Sequence, residues 1–334
     1  MNESYSGAGP LDSTPLPVPY KDRSAGLTVF GVLTILLGCL CGSFLLLIPV
    51  SQAMVPKDQQ VPFSTLMPSM SVYGILGVAL VWLGVGSIMA RRWARALLLI
   101  FSWSWLVIGL FEMVGMAVIM PKIMATMTPP ATAGQPTLPA AAMDGVMVFM
   151  FVFLGFAFVL LPGLWTFFYN SRHVKATCDA RDPVARWTDH CPLPVLGFSL
   201  WMWFAVPMLL LMPLAGHVVA PFFGMFITGL PASLFFLTTG IVWGYAAWLL
   251  YRMELRGWWL ILIAVGLYFA SAILTFARHD FVEMYRLMDF PQAQIDQIQK
   301  SGMFEGSSMA WLMIFFCMPF LGYLLFIKRY FRKT

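Results

Sequence analysis

The side chains whose types and spacing could do chemistry are few, and the densest group is Arg278, His279, Asp280 and Glu283, followed by Arg286 and Asp289. An imidazole within one helical turn of carboxylates and guanidiniums can move a proton or grip a polar ligand. Glu112 and His217 are the other ionisable residues expected on the same side, so the six residues Glu112, His217, Arg278, His279, Asp280 and Glu283 form a candidate polar cluster at the mouth of a cavity. The plainer reading is a solvated helix face held by i, i+3 pairs such as Glu283–Arg286. Glu112 is the only acidic residue inside an expected membrane span, which makes it a functional candidate by default. It either pairs with His217 or Arg278, or makes a structural hydrogen bond between helices.

A second group lies in SRHVKATCDARDPVARWTDHCPLP (171–194), which offers His173, Cys178, His190 and Cys191. Two Cys and two His are the right ligands for tetrahedral zinc. The spacing is poor for it: four residues separate His173 from Cys178, His190 and Cys191 are adjacent, and no C-x2-C hairpin is present. If the segment is cytoplasmic, a stable Cys178–Cys191 disulfide is disfavoured as well. Haem needs a histidine pair, and only His217 and His279 lie near apolar runs, both at outer ends. The chain has no Walker loop, G-x-G-x-x-G, H-E-x-x-H or G-x-S-x-G. Neither a haem or zinc cofactor nor catalytic chemistry is expected.

The elements that must position these residues are set by composition. Of 334 residues, 60% are hydrophobic and 10% charged, with a net charge of +5. The mean hydropathy is +0.81, and a soluble domain carries roughly 25% charged residues. Eight apolar runs, near 27–50, 70–90, 96–120, 146–169, 194–214, 226–250, 257–277 and 308–327, are each long enough to cross ~30 Å of hydrocarbon as a helix. An all-α integral membrane protein with eight transmembrane helices is therefore expected. Residues 1–25 are polar and rich in Pro, Ser and Gly, and read as a disordered tail. Fifteen of the twenty Lys and Arg fall in the tail, the 2–3 and 6–7 turns, the 4–5 linker and the C-terminus. All five segments share one side, so both termini are expected in the cytoplasm, with a bacterial inner membrane as the setting. The basic residues then report orientation, and no nucleic-acid partner is expected.

The chain also resembles itself. LLLIPVSQAMV (45–55) reappears as LLLMPLAGHVV (209–219), and RRWAR (91–95) as RMELR (252–256). A stripe at Met120, Ile123, Met124 and Met127 matches Phe281, Met284, Tyr285 and Met288, and LPGLWTFF (161–168) matches FLGYLLFI (320–327). The offsets run from 159 to 164 in one order, the signature of a tandem duplication. Two four-helix units in parallel orientation follow, over 26–172 and 194–334, with 173–193 as a connecting strap. The two stripes predict short amphipathic helices on the outer surface.

The repeat also bears on ILLGC (35–39), whose form resembles a lipoprotein signal. The apolar run continues past Cys39 to Val50, and the position aligned with Cys39 lies in the middle of the fifth span, so Cys39 reads as the interior of helix one. The expected function is a non-catalytic membrane protein: an accessory or scaffold subunit, a homo-oligomer, or a binder of lipid or another apolar ligand. The alternatives are a transporter of a neutral or lipid-like substrate between two pseudo-symmetric halves and, more weakly, a membrane enzyme using the outer polar cluster.

Overall fold

The computed structural model describes residues 20–56, 60, 63–127, 140–214, 217–292, 295, 296, 299 and 306–331. The chain runs through α1 (Ser24–Ala53), α2 (Phe63–Ile88), α3 (Arg92–Met127) and α4 (Ala140–Gly155), then through a π turn (Phe156–Leu160) into α5 (Leu161–Asn170). There follow α6 (Arg172–Arg181), α7 (Leu193–Leu211), strands β1 (Val219–Phe222) and β2 (Met225–Thr228), α8 (Gly229–Tyr251), α9 (Leu255–Phe276), α10 (Phe281–Leu287) and α11 (Gly306–Phe331). Among the described residues, seven helices are long and apolar enough to cross a membrane, with α4, the π turn and α5 counted as one. The chain is a multi-span helical membrane protein.

The tightest packing is between α1 and α2, where glycines let two backbones touch. A Cβ at Gly84 would stand 2.6 Å from the Gly31 carbonyl oxygen, and one at Gly31 would stand 2.8 Å from that of Gly84. Gly38 and Gly77 repeat the arrangement seven residues away on each helix, with 2.9 and 3.1 Å to the opposite carbonyls. Small residues at helical spacing are how membrane helices approach closely where the hydrophobic effect gives no drive.

Hydroxyls complete the first apolar core, which gathers Leu27, Leu83, Leu98, Leu99, Trp165, Tyr169 and Val174. Ser87 Oγ donates to the Leu27 carbonyl, so the Tyr169 hydroxyl, 2.7 Å away, must donate to Ser87. Trp165 Nε1 donates to Thr34 Oγ1, which passes its own proton to the Phe30 carbonyl. A second core joins Val195, Phe198 and Met202 of α7 to Leu250 of α8, Trp258 and Ile261 of α9 and Leu324, Ile327 and Phe331 of α11.

Pro162 explains the π turn. It has no N–H to give the carbonyl four residues back, and the Leu161 N–H bonds instead to Phe156 O, five residues back. The widened turn pushes the Phe158 carbonyl against α3 at Gly109, where a Cβ would overlap it.

The turns after α2 and α8 have the same geometry. In the first, Ala90 N–H bonds to Ser87 O and Arg91 N–H to Gly86 O; in the second, Met253 N–H bonds to Leu250 O and Glu254 N–H to Leu249 O. Ala90 and Met253 are left-handed, with φ of 51° and 60°. These are Schellman endings without the usual glycine. Immediately beyond each turn the two helices nearly collide. A Cβ at Gly86 would lie 2.7 Å from the Ala94 Cβ, and one at Gly257 would lie 2.6 Å from the Leu249 Cβ.

Three expectations change. The connection between the fifth and sixth spans contains a β-hairpin, with Val219 paired to Thr228 and Phe222 to Met225, so α8 begins at Gly229 rather than 226, while the spans themselves are all helical. Its two-residue turn has φ of 43° at Phe223 and 94° at Gly224, a type I′ shape that matches strand twist. The stripe from Met120 to Met127 continues α3 without a break instead of forming a separate amphipathic helix, and its side chains lie outside the described residues. The second stripe does fall on a separate short helix, α10, whose Phe281 and Met284 pack on Ala272 and Phe276. Finally, the end of the expected tail is pinned: Lys21 N–H bonds to His173 Nδ1, Arg23 N–H bonds to Thr177 Oγ1, and α1 already starts at Ser24. Residues 1–19 lie outside the described residues.

Gly84→Ala is expected to cost about 1–3 kcal/mol, because the added methyl must force backbones apart. Gly266→Ala, at a position with nothing within 4 Å, is expected not to lower stability. Thermal unfolding of both variants in one detergent checks the contrast.

Candidate functional site

At one end of the helices, α9 carries two hydroxyls one turn apart that hold the hairpin tip. Phe223 N–H donates to Ser271 Oγ at 2.8 Å and Gly224 N–H donates to Thr275 Oγ1 at 3.0 Å. Ser271 donates onward to the Pro221 carbonyl, and Thr275 to the Ser271 carbonyl. The strained Phe223 conformation is thus held by hydrogen bonds that a membrane helix would otherwise leave unused.

His279 closes the same contact. Its Nε2 lies 3.1 Å from the Gly224 carbonyl oxygen and its Nδ1 lies 2.9 Å from Glu283 Oε2, one turn along α10. The Phe226 ring packs against the imidazole, with centroids 5.6 Å apart. The Arg278 guanidinium covers the open face of Gly224, where a Cβ would stand 2.7 Å from Nη1. Asp280 occupies the N-cap position of α10. His217 faces Asp289 at 3.8 Å, and both are largely exposed.

The expected cluster is therefore only partly assembled. Arg278 and His279 meet the hairpin tip and Glu283 reaches it only through His279, whereas Asp280 sits at the N-cap of α10 and His217 faces Asp289. Glu112 does not join them: it is exposed on α3 and shows no hydrogen bond or ion pair to any described residue. The expected Glu283–Arg286 pair is replaced by Glu283–His279, because α10 is short and the imidazole comes from the residue just before its cap.

At the opposite end the 171–194 segment is ordered. α6 is capped by Ser171, whose Oγ accepts from the His173 N–H, and a 3-10 turn covers Trp187–Asp189. Asp182 is 2% exposed. Its carboxylate accepts from Arg186 Nη2 at 2.7 Å and Arg186 Nε at 3.2 Å, with the Arg92 N–H at 3.4 Å and Arg91 Nη1 at 3.8 Å. Arg92 Nε sits 3.1 Å from Asp179 and 3.5 Å from Asp189. Three strap aspartates thus clamp the basic turn between α2 and α3. The Arg186 hydrogen bonds hold the Asp182 carboxyl below its ordinary range.

The four metal candidates are not gathered. His173 accepts from the Lys21 N–H just before α1, Cys178 is buried in the first core, His190 stacks on Tyr251 at 5.5 Å, and Cys191 is buried beyond the 3-10 turn. All five cysteines are free. Burial pushes the Cys178 and Cys191 thiols up to about 11, so neither is a thiolate at neutral pH. Among the described residues no group of three or more His, Cys, Asp or Glu is placed to hold a metal ion.

No protein-family model, curated protein or solved structure matches the chain. Its chemistry has to be argued from its own residues. Those that sequence reasoning passed over are Ser271 and Thr275, and Asp179, Asp182 and Asp189. The first two gave an i, i+4 hydroxyl signal on an apolar helix. The aspartates were visible only as acids within a basic linker.

Asp182→Ala should loosen the strap, since a charged hydrogen-bond set is worth about 1.5–3 kcal/mol. Tryptic cleavage after Arg181 and Arg186 in the folded protein is expected to accelerate. Because the folded carboxyl is held low, its stabilisation is present above the ordinary carboxylate value near ~4 and is lost as pH falls below it. Hydrogen exchange of peptides covering 179–190, measured at acid pH and corrected for intrinsic exchange, should therefore show wild type losing protection as pH falls below that value, and Asp182→Ala should show little further change.

Proposed function

We propose that the chain is a non-catalytic, multi-pass protein of a bacterial inner membrane, acting as an accessory or scaffold subunit or as a binder of lipid or another apolar ligand. The observation that carries this reading is how the ionisable side chains are used. His279 and Glu283 are engaged at the hairpin tip, and Asp179, Asp182 and Asp189 are engaged in the strap. What the spans present outward is apolar: Leu46, Val78, Phe153, Phe167 and Ile241 are each more than half exposed. Surfaces of this kind suit acyl chains and partner helices.

In this reading α11 is the eighth span, both termini are cytoplasmic, and the helices form two tandem four-helix units in parallel orientation. Several observations support the duplication. The two Schellman turns correspond at an offset of 163, two residues from the register that RRWAR and RMELR give by sequence. Buried Pro162, Trp165 and Tyr169 of α5 share their spacing with buried Leu324, Ile327 and Phe331 of α11 at an offset of 162, three residues from the register that LPGLWTFF and FLGYLLFI give by sequence. The strap side also carries interfacial anchors, with Lys328 Nζ 4.3 Å from the Trp258 ring and the Arg252 guanidinium 4.7 Å from that of Trp248. Such cation–aromatic pairs belong at a headgroup boundary.

A second reading, a transporter of a neutral or lipid-like substrate, is favoured by the π turn at Phe156–Leu160, since such turns recur at functional sites.

Two measurements test the proposal. A reporter fused after Thr334 should be active only when it requires the cytoplasm, and the reverse would overturn the eight-span topology. Protein extracted under mild conditions should keep a lipid or a partner subunit in native mass spectrometry. Saturable uptake of a neutral solute by reconstituted vesicles would overturn the non-transport reading.

A further inference from the structure

The hydrogen bonds of His279 do not balance for a neutral imidazole beside an ionised carboxylate. One ring nitrogen faces the Gly224 carbonyl and the other faces Glu283 Oε2. A carbonyl and a carboxylate both only accept, whereas a neutral imidazole has a single N–H. That imidazole would satisfy one partner and turn a lone pair on the other. Both contacts are satisfied only if the pair holds one additional proton, either as imidazolium with carboxylate or as neutral imidazole accepting from a carboxylic acid.

We infer that this proton is a clasp on the β-hairpin: the tip is fastened to the α9–α10 junction while the His279–Glu283 pair carries it, and loosens when it leaves. The tip is well placed for such control. Its hydrogen bonds to α9 all run through neutral hydroxyls, Ser271 to the Phe223 N–H and the Pro221 carbonyl and Thr275 to the Gly224 N–H, and these do not titrate. Phe223 is held at a φ of 43°, a conformation that relaxes once its restraints weaken. The Phe226 ring touches both the imidazole and Phe276, so movement of one is felt by the other. Among the described residues, the charged and titratable groups on the elements packed about His279 are Arg278 at the end of α9, Asp280, Glu283, Tyr285 and Arg286 on and before α10, and the His217–Asp289 pair. The two strands and the first two turns of α8 bring none. The fastened form binds the extra proton, so it is favoured at low pH and lost as pH rises.

The test is hydrogen exchange read by mass spectrometry on the full chain in lipid nanodiscs, at about pH 5.5 and about pH 8, corrected for intrinsic exchange. Peptides covering 219–228 are expected to lose protection about tenfold or more at the higher pH, as a charge-assisted hydrogen bond is lost. In Glu283→Gln an amide can donate to Nδ1 while Nε2–H donates to Gly224, so a neutral imidazole suffices and protection should be equal at both pH values. His279→Ala should be poorly protected at both. Equal wild-type protection at the two pH values, or Glu283→Gln losing protection in step with wild type, overturns the proposal. Should His279→Ala fail to fold, the comparison of wild type with Glu283→Gln decides alone.

Discussion

Hydrocarbon offers no hydrogen-bond partner, and this one constraint shapes the molecule more than any single contact. Each backbone polar group carried into the spans must find its partner inside the protein. The first core shows the consequence in a closed chain of donors, from Tyr169 through Ser87 to the Leu27 carbonyl and from Trp165 through Thr34 to that of Phe30. Pro162 breaks the helical ladder, and the break is taken up locally by a wider turn instead of an open end. With hydrogen bonding confined within the protein, helix association falls to shape, which is why α1 and α2 meet through paired glycines.

The two ends of the bundle solve a different problem, since they meet water, and they solve it differently. The strap end uses full charges, with aspartates of the 171–194 segment set against arginines of the α2–α3 turn. The hairpin end uses neutral hydroxyls and one imidazole, so its geometry rests on weaker and more adjustable bonds. One end is therefore built to stay fixed, and the other has a restraint of changeable strength.

Much of this was legible in the sequence. Long apolar runs gave the helices because length and composition alone decide membrane crossing. Positions inside them were less legible: Gly31, Gly38, Gly77 and Gly84 carry a heptad spacing, but glycines are common in membrane helices and only the partner helix gives that spacing meaning. The hairpin was hidden because Pro221 and the apolar residues on either side read equally as a kinked span end. Of the candidate site, the run from Arg278 to Glu283 was found because its residues are adjacent in sequence. Glu112 was misplaced in that group because depth along a helix says nothing about which face a side chain takes, and the strap aspartates were missed because pairing with the α2–α3 turn is a tertiary fact.

The near-collision beyond the two Schellman turns has a consequence for assembly. After α2 the clearance comes from Gly86 against Ala94, on the outgoing helix; after α8 it comes from Gly257 against Leu249, on the returning one. The gap is the same, but the residue that yields is on opposite sides. A helix hairpin built from α8 and α3 would set Leu249 against Ala94 and jam, while one built from α2 and α9 would set glycine against glycine and leave a hole. Two look-alike turns in one chain thus take their clearance from opposite helices, and neither pair of facing residues can be exchanged for the other one residue at a time.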